Sequence, residues 1–164
     1  MTLTTYDESL CKILEPNVSS TYERFEALMQ FKKAGIPTIV WLTPILPFIN
    51  DTEENIKGIL DYCVQAGVKG IICFSMGVTM REGDREYFYH ALDKYFPGMK
   101  NKYIRTYGNA YDCPSPNNDR LLDFFRKYST RYGIMHKTEE CFRYMYTFPQ
   151  KYEQMSFADF LINN

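Results

Sequence analysis

Histidine is scarce in this chain of 164 residues, with only His90 and His136 present. Neither has a partner at ligand spacing, and the interval from His136 to Cys141 is not a zinc spacing. The cysteines, Cys11, Cys63, Cys73, Cys113 and Cys141, form no C-x-x-C pair and no short cluster. That argues against a disulfide framework and against a self-contained zinc or iron–sulfur site. Cys63 falls in a helical apolar pattern and Cys73 in an apolar strand pattern, so both are expected as buried thiols acting as small hydrophobes. Charge of one sign is also missing: the net charge is -1 and lysine and arginine are scattered, so no basic stripe advertises nucleic acid. Long apolar runs are absent, since residues 36–49 are broken by Pro37, Thr43, Pro44 and Pro47. The start, MTLTTYDESL, has neither a charged nor an apolar leader region. A soluble, cytoplasmic protein with no membrane partner is expected. No G-x-G-x-x-G, P-loop or nucleophile–base pair is found.

What is present is a rhythm of helices ending at glycine and turning directly into aliphatic runs. It occurs at Ala34-Gly35-Ile36, Ala66-Gly67-Val68 and Tyr132-Gly133-Ile134, where glycine supplies the left-handed conformation that ends a helix. Helix starts are equally marked: Ser20 with Glu23 reads as a capping box, Asp51 with Glu54 as a similar arrangement, and Ser115-Pro116 as a cap before a first-turn proline. Helical spacing links Ile56, Ile59, Leu60 and Cys63, then Phe88, Ala91, Leu92 and Tyr95, then Leu121, Phe125, Tyr128 and Tyr132. All three sets are expected to face a core.

Strands are expected at Leu3–Tyr6, Pro37–Leu42, Lys69–Phe74, Tyr103–Tyr107 and Ile134–His136, alternating with helices as a parallel sheet requires. The composition, 45% hydrophobic and 24% charged, suits one globular domain with one core. Residues 1–80 read as βα units and residues 81–164 as a helical extension with one or two short strands. The stretch Gly35–Glu54 is the most informative: a helix stop, an apolar strand, a proline-bracketed crest and an Asn-Asp helix start. Prolines there end the ladder, leaving backbone groups at the strand's carboxyl end for a ligand. The edge at residues 3–6 is expected to stay open unless another segment covers it, and something upstream to be missing.

The run from Thr4 to about Phe148 resembles the C-terminal half of radical S-adenosylmethionine proteins related to spore photoproduct lyase, often labelled DNA repair photolyases. The segments that carry the likeness are Glu15-Pro16, PILPFIND and YIRTYGNAY. The resemblance implies an α/β fold, the parallel-sheet half of a partial (β/α) barrel of TIM type with three to five strands and a helical C-terminal tail. Leu3–Tyr6, Pro37–Leu42 and Lys69–Phe74 would be its fourth, fifth and sixth strands. It also implies S-adenosylmethionine as cofactor and a [4Fe–4S] cluster held by a C-x-x-x-C-x-x-C triplet. That triplet is absent here, so the chain alone is not expected to hold the cluster or to perform the family's lyase-like chemistry.

By the same resemblance, Thr4, Thr5 and Asp7 would meet the ribose and amino-acid parts of the cofactor. Otherwise the threonines are ordinary strand formers and Asp7 caps a turn. Arg24 can bind the carboxylate of Glu15 or of a bound amino acid. Pro44 and Asn50 on the crest are candidates for adenine contacts, as are Phe74 and Met76 after the third strand; Asp51 is sufficiently explained as a helix cap, and Phe74 and Met76 equally by core packing. Arg105, Tyr107 and Asn109 are candidates for substrate contacts by hydrogen bonding and stacking. No metal ligand is assigned.

Three functions follow. The first is the distal part of a radical S-adenosylmethionine protein, completed by an N-terminal barrel half and with nucleic acid as partner only through the family's label. The second is a non-catalytic interaction module that oligomerises through its open sheet edge. The third is a phosphate-binding half-barrel using residues 70–77.

Overall fold

Ser20 begins the first long helix by a reciprocal pair of bonds. Its Oγ accepts the Glu23 N–H at 3.3 Å, and the Glu23 carboxylate accepts the Ser20 N–H at 2.7 Å. This capping box launches α2 (Thr21–Lys33), after the shorter α1 (Glu8–Leu14) that Asp7 caps through the Leu10 N–H. The expected glycine stops hold at the other ends: Gly35, Gly67 and Gly133 all have positive φ. The computed structural model describes residues 1–147, so the end of the expected helical tail, residues 148–164, lies outside the described residues.

Four parallel segments succeed one another in chain order. Thr2 bridges to Trp41 in β1 (Ile39–Trp41), β1 pairs with β2 (Gly70–Ile72), and Gly70 bridges to Met135. Between the first and second lie α1 and α2, and between the second and third lies α3 (Glu53–Ala66). The third and fourth are separated by a longer excursion that ends in α6 (Asn118–Arg131). The class is mixed α/β. The strands are shorter than expected: the first and fourth are single bridges, and residues 4–6 leave the ladder to enter α1.

One face of this sheet carries Leu3, Val40, Leu42, Ile71 and Cys73, packed against α2, α3 and α6. The expected helical stripe of Ile56, Ile59, Leu60 and Cys63 is wholly buried there, joined by Leu121 and Phe125. Alternation along a strand sends Gly70 and Trp41 to the opposite face, where α7 (Thr138–Tyr146) lies. Gly70 makes that possible, because a Cβ at this position would come within 2.8 Å of Cys141 Sγ and 3.3 Å of the Met135 carbonyl. The Trp41 ring meets Phe142 edge-on at 6.1 Å.

The excursion builds a second core, where the sequence suggested one. An antiparallel pair, β3 (Gly77–Thr79) with β4 (Asp112–Pro114), flanks α4 (Asp84–Tyr95) and α5 (Met99–Tyr107). Residues 103–107, expected as a strand, are helical instead. Met99, Tyr103 and Tyr107 fall on one helical face and pack with Phe48 and Phe88 around the fully buried Tyr103. Tyr103 Oη donates to the Pro47 carbonyl at 2.7 Å. The β-rich composition of YIRTY is overruled by this packing, as strand propensity often is.

The outer edge of the first segment is not fully open. Leu3 N–H and the Met1 carbonyl bond to β1, so Thr2 faces away, and its carbonyl accepts Arg24 Nη1 at 3.2 Å. Among the described residues, no helix is long and apolar enough to cross a membrane.

Candidate binding cavity at the carboxyl edge

The chain leaves each parallel strand at the same end of the sheet, and a cavity of about 510 Å³ opens there. Its floor comes from Thr2 and Thr4, from Pro44, Leu46 and Asn50 after β1, and from Glu15-Pro16 at the end of α1. Its far side is Val78, Thr79 and Met80 together with α4. The volume falls in the range of small-molecule sites, and the position is where open α/β sheets bind ligands.

Glu15 is aimed by the chain around it. It is the C-cap of α1, its N–H bonded to the Cys11 carbonyl at 2.8 Å, and Pro16 prevents the helix from continuing. Its carboxylate accepts Thr4 Oγ1–H at 2.6 Å through one oxygen and pairs with Arg24 at 2.5 Å through the other. Thr4, Glu15 and Arg24 thus form one polar chain from the cavity floor to α2.

Asn50 is buried and fully used. Its amide nitrogen donates to the Thr4 carbonyl at 3.1 Å and to Thr5 Oγ1 at 3.0 Å, and its Oδ1 accepts the Leu46 N–H at 2.6 Å. It therefore ties the proline crest to the end of the first strand segment. Asn55 repeats the tie from α3, donating to the Thr4 carbonyl at 2.9 Å and accepting the Tyr6 N–H at 2.6 Å. Several backbone groups of the crest are already bonded within the chain. Ile45 N–H donates to the Gly77 carbonyl, Leu46 N–H to Asn50, and the Pro47 carbonyl accepts Tyr103.

Of the sequence-derived candidates, Thr4, Glu15, Pro44 and Asn50 line the cavity. Thr5 is buried directly behind Thr4, their hydroxyls 3.3 Å apart, and Arg24 stands behind Glu15. The others lie elsewhere. Asp7 is the exposed cap of α1, where the Ser9 hydroxyl and Leu10 N–H hold its carboxyl below the usual range. Phe74 is exposed and packs edge-on against Trp41, and Met76 is fully buried in the first core. Arg105 bonds within its own helix to the Asn101 carbonyl. Tyr107 donates to the Pro114 carbonyl at 2.6 Å, and burial pushes its hydroxyl up to about 12. The Asn109 carbonyl accepts Arg85, whose guanidinium also gathers the carbonyls of Met80, Gly108 and Ala110.

Asp51 is no helix cap. Thr52 caps α3 through the Asn55 N–H, while Asp51 is buried and accepts the Ser115 hydroxyl at 2.5 Å. Ser115 in turn accepts the Asn117 N–H at 2.9 Å, so the pair joins the crest to the entry of α6 rather than starting a helix itself. Also unanticipated is the wall of α4: Tyr87, Phe88, Ala91 and Tyr95 line the cavity, with Phe96 just past the helix end. Their helical spacing predicts a core face, yet only Leu92 of that helix is buried.

The cysteines do not suit a metal–sulfur cluster. All are buried, and burial pushes the Cys63 and Cys73 thiols up to about 12, away from the thiolate form that ligates iron.

No family model matches the chain, and no solved structure does. It is similar to uncharacterized proteins of Mycobacterium tuberculosis and Mycobacterium bovis, each 24% identical over 117 residues, which is 71% of this chain. The match covers 34% of the relative in each case, so the chain spans about a third of the length of the curated relatives it matches.

Proposed function

We propose that the chain is the distal, ligand-facing part of a radical S-adenosylmethionine protein of the spore photoproduct lyase-like kind, contributing half of a partial (β/α) barrel. The observation that carries this reading is the cavity at the carboxyl edge, which gathers Thr4, Glu15, Pro44 and Asn50. The sequential order of the parallel segments suits a barrel half. Relatives about three times as long as the matched region leave ample chain for a further half. Bound S-adenosylmethionine would supply the radical chemistry once an electron reaches it. This chain's part is to position it: Thr4 and Glu15 hold its polar groups, Pro44 and Leu46 exclude water, and Asn50 keeps the crest in place. The cluster is not assigned to this chain, whose thiols do not fit it, and belongs on this reading to a partner segment bearing the cysteine triplet.

Arg24 covering the Thr2 carbonyl weighs against the alternative of edge-to-edge oligomerisation. Equilibrium dialysis of S-adenosylmethionine against the chain tests the proposal. Saturable binding is expected, weakened at least tenfold by Asn50→Ala, which frees the crest. No binding at millimolar ligand, either to the chain alone or to its mixture with a triplet-bearing half, overturns it.

A further inference from the structure

The floor of the cavity and its walls differ in chemistry. On the floor, polar side chains are bonded to one another: Thr4 Oγ1–H donates to Glu15, Glu15 pairs with Arg24, and Asn50 spends its whole amide within the chain. The Glu15 carboxylate still has acceptor capacity, since such a group offers about four lone-pair sites. The walls are hydrocarbon on two sides. Ile13 and Leu14 precede Glu15 on the near side; Val78 in β3 and Met80 directly after it stand on the far side with Phe88 and Leu92, four residues apart on one face of α4.

The charges around this space narrow its occupant. Two carboxylates, Glu15 and Asp84, line the cavity, and among the described residues no lysine, arginine or histidine does. Arg24 and Lys94 stand outside the lining and are engaged, Arg24 with Glu15 and Lys94 at 4.7 Å from the Tyr95 ring centroid. An anion would meet like charge and no cationic donor, which removes the support for phosphate binding, the third function considered from the sequence. A strongly hydrated cation would exchange its water for hydrocarbon walls. Neutral apolar surface, in contrast, gains free energy in proportion to the area it withdraws from water. We infer that the cavity binds a neutral, mainly hydrocarbon or aromatic small molecule, packed between Ile13 and the Phe88–Leu92 face of α4, with a single hydroxyl or N–H turned to Glu15. This goes beyond the reading given under Proposed function: it names a second ligand, and the apolar walls carry it whether or not S-adenosylmethionine lies on the floor.

Fluorescence titration of the full chain with two matched dyes tests it. N-phenylnaphthylamine is neutral and has one N–H; anilinonaphthalene sulfonate has the same ring skeleton and one added negative charge. The neutral dye is expected to bind saturably, at least about tenfold tighter than the anionic one. Ala91→Trp adds bulk to the α4 wall, and Ile13→Asn makes the near wall polar at a position 38% exposed, where the fold tolerates change. Each is expected to weaken the neutral dye by about threefold to thirtyfold with an unchanged circular dichroism spectrum. Should Ala91→Trp not fold, Ile13→Asn decides alone. Neutral-dye binding that these variants weaken supports the inference, and if the dialysis against chain and mixture shows no S-adenosylmethionine bound, the proposed function falls while the inference stands. S-adenosylmethionine binding that Asn50→Ala weakens, with the two dyes bound equally or the neutral one not at all, overturns the inference and leaves the proposed function standing. Neutral-dye binding unchanged in the folded variants overturns the inference, and no binding of any of the three compounds overturns both readings.

Discussion

Replacing Glu15 by glutamine tests the polar chain that shapes the cavity floor. The substitution keeps the shape of the side chain and removes its charge, so it strands the Arg24 guanidinium. Arg24 is only 13% exposed and Glu15 24% exposed, and they meet at 2.5 Å. An exposed pair of this kind contributes about 0–1 kcal/mol, whereas breaking a buried one costs about 3–5 kcal/mol, because the remaining charge is left without a partner. The burial here is intermediate. The amide can still accept the Thr4 hydroxyl now bonded at 2.6 Å, and Arg24 keeps its bond to the Thr2 carbonyl. A loss of about 1.5–3 kcal/mol is therefore expected, within the range for hydrogen bonds to charged groups.

Urea unfolding followed by circular dichroism measures it as a midpoint shift of about 1 M, for a slope in the range usual for small domains. The double variant with Arg24→Met is decisive. Removing both partners is expected to cost at least about 1 kcal/mol less than the two single losses added together, because the stranded charge goes with its partner. A single-variant loss under about 0.5 kcal/mol, or strict additivity in the cycle, refutes the view that Glu15 and Arg24 form a structural unit behind the cavity.

Gly70→Ala is expected to destabilise the chain by about 1–3 kcal/mol, the usual cost of overpacking, since the new methyl meets Cys141 Sγ at 2.8 Å. Amide exchange should quicken in α7 before α3, and Cys141→Ala should recover part of the loss; an equal loss in both backgrounds refutes the assigned contact. Asp61 is partly desolvated, which raises its carboxyl, but hydrogen bonds from Lys57 and Tyr128 outweigh this and hold it below its ordinary value of 3.8. A depressed carboxylate contributes stability above its unfolded value that is lost as pH falls through the folded one. The stability gap between the native chain and Asp61→Asn should therefore narrow below about pH 4, and a gap unchanged between pH 6 and pH 3 in urea titrations refutes it.

Local signals in the sequence survive in the structure where a few neighbouring residues decide the outcome. The Ser20–Glu23 box, the glycine stops and the apolar stripe of α3 depend on spacing alone, and all are found where the pattern put them. The errors lie where a distant partner decides. Asp51 next to a helix start looks like a cap, but Ser115, far along the chain, claims its carboxylate and Thr52 takes over the capping. YIRTY has strand composition, yet the crest residue Phe48 and the α4 residue Phe88 offer Tyr103 an aromatic socket that only a helix can fill. The candidate site divides in the same way. Thr4, Glu15, Pro44 and Asn50 follow directly from the ends of strands and helices and reach the cavity, while Phe74, Met76, Arg105, Tyr107 and Asn109 depended on strand directions that a single sequence does not reveal.

The aromatic helix α4 shows why a periodic pattern alone is an incomplete guide to role. Phe88, Ala91, Leu92 and Tyr95 have the spacing of a buried stripe, and a stripe needs a surface of matching length to cover it. The second core supplies only part of that surface, burying Leu92 and packing against Phe88 and Phe96. Thr4, Pro44, Leu46 and Asn50 stand across the cavity from the helix, with Asn50 and Asn55 both donating to the Thr4 carbonyl. The unfilled interval beside the second core is the cavity, bounded by Thr4, Glu15 and Asn50 on one side and by the aromatic residues of α4 on the other. A ligand there would contact Met80, Phe88 and Leu92 of the second core and Thr4 and Asn50 at the end of the first sheet, so binding should hold these parts together, and titration would register it as a rise in unfolding temperature with ligand concentration.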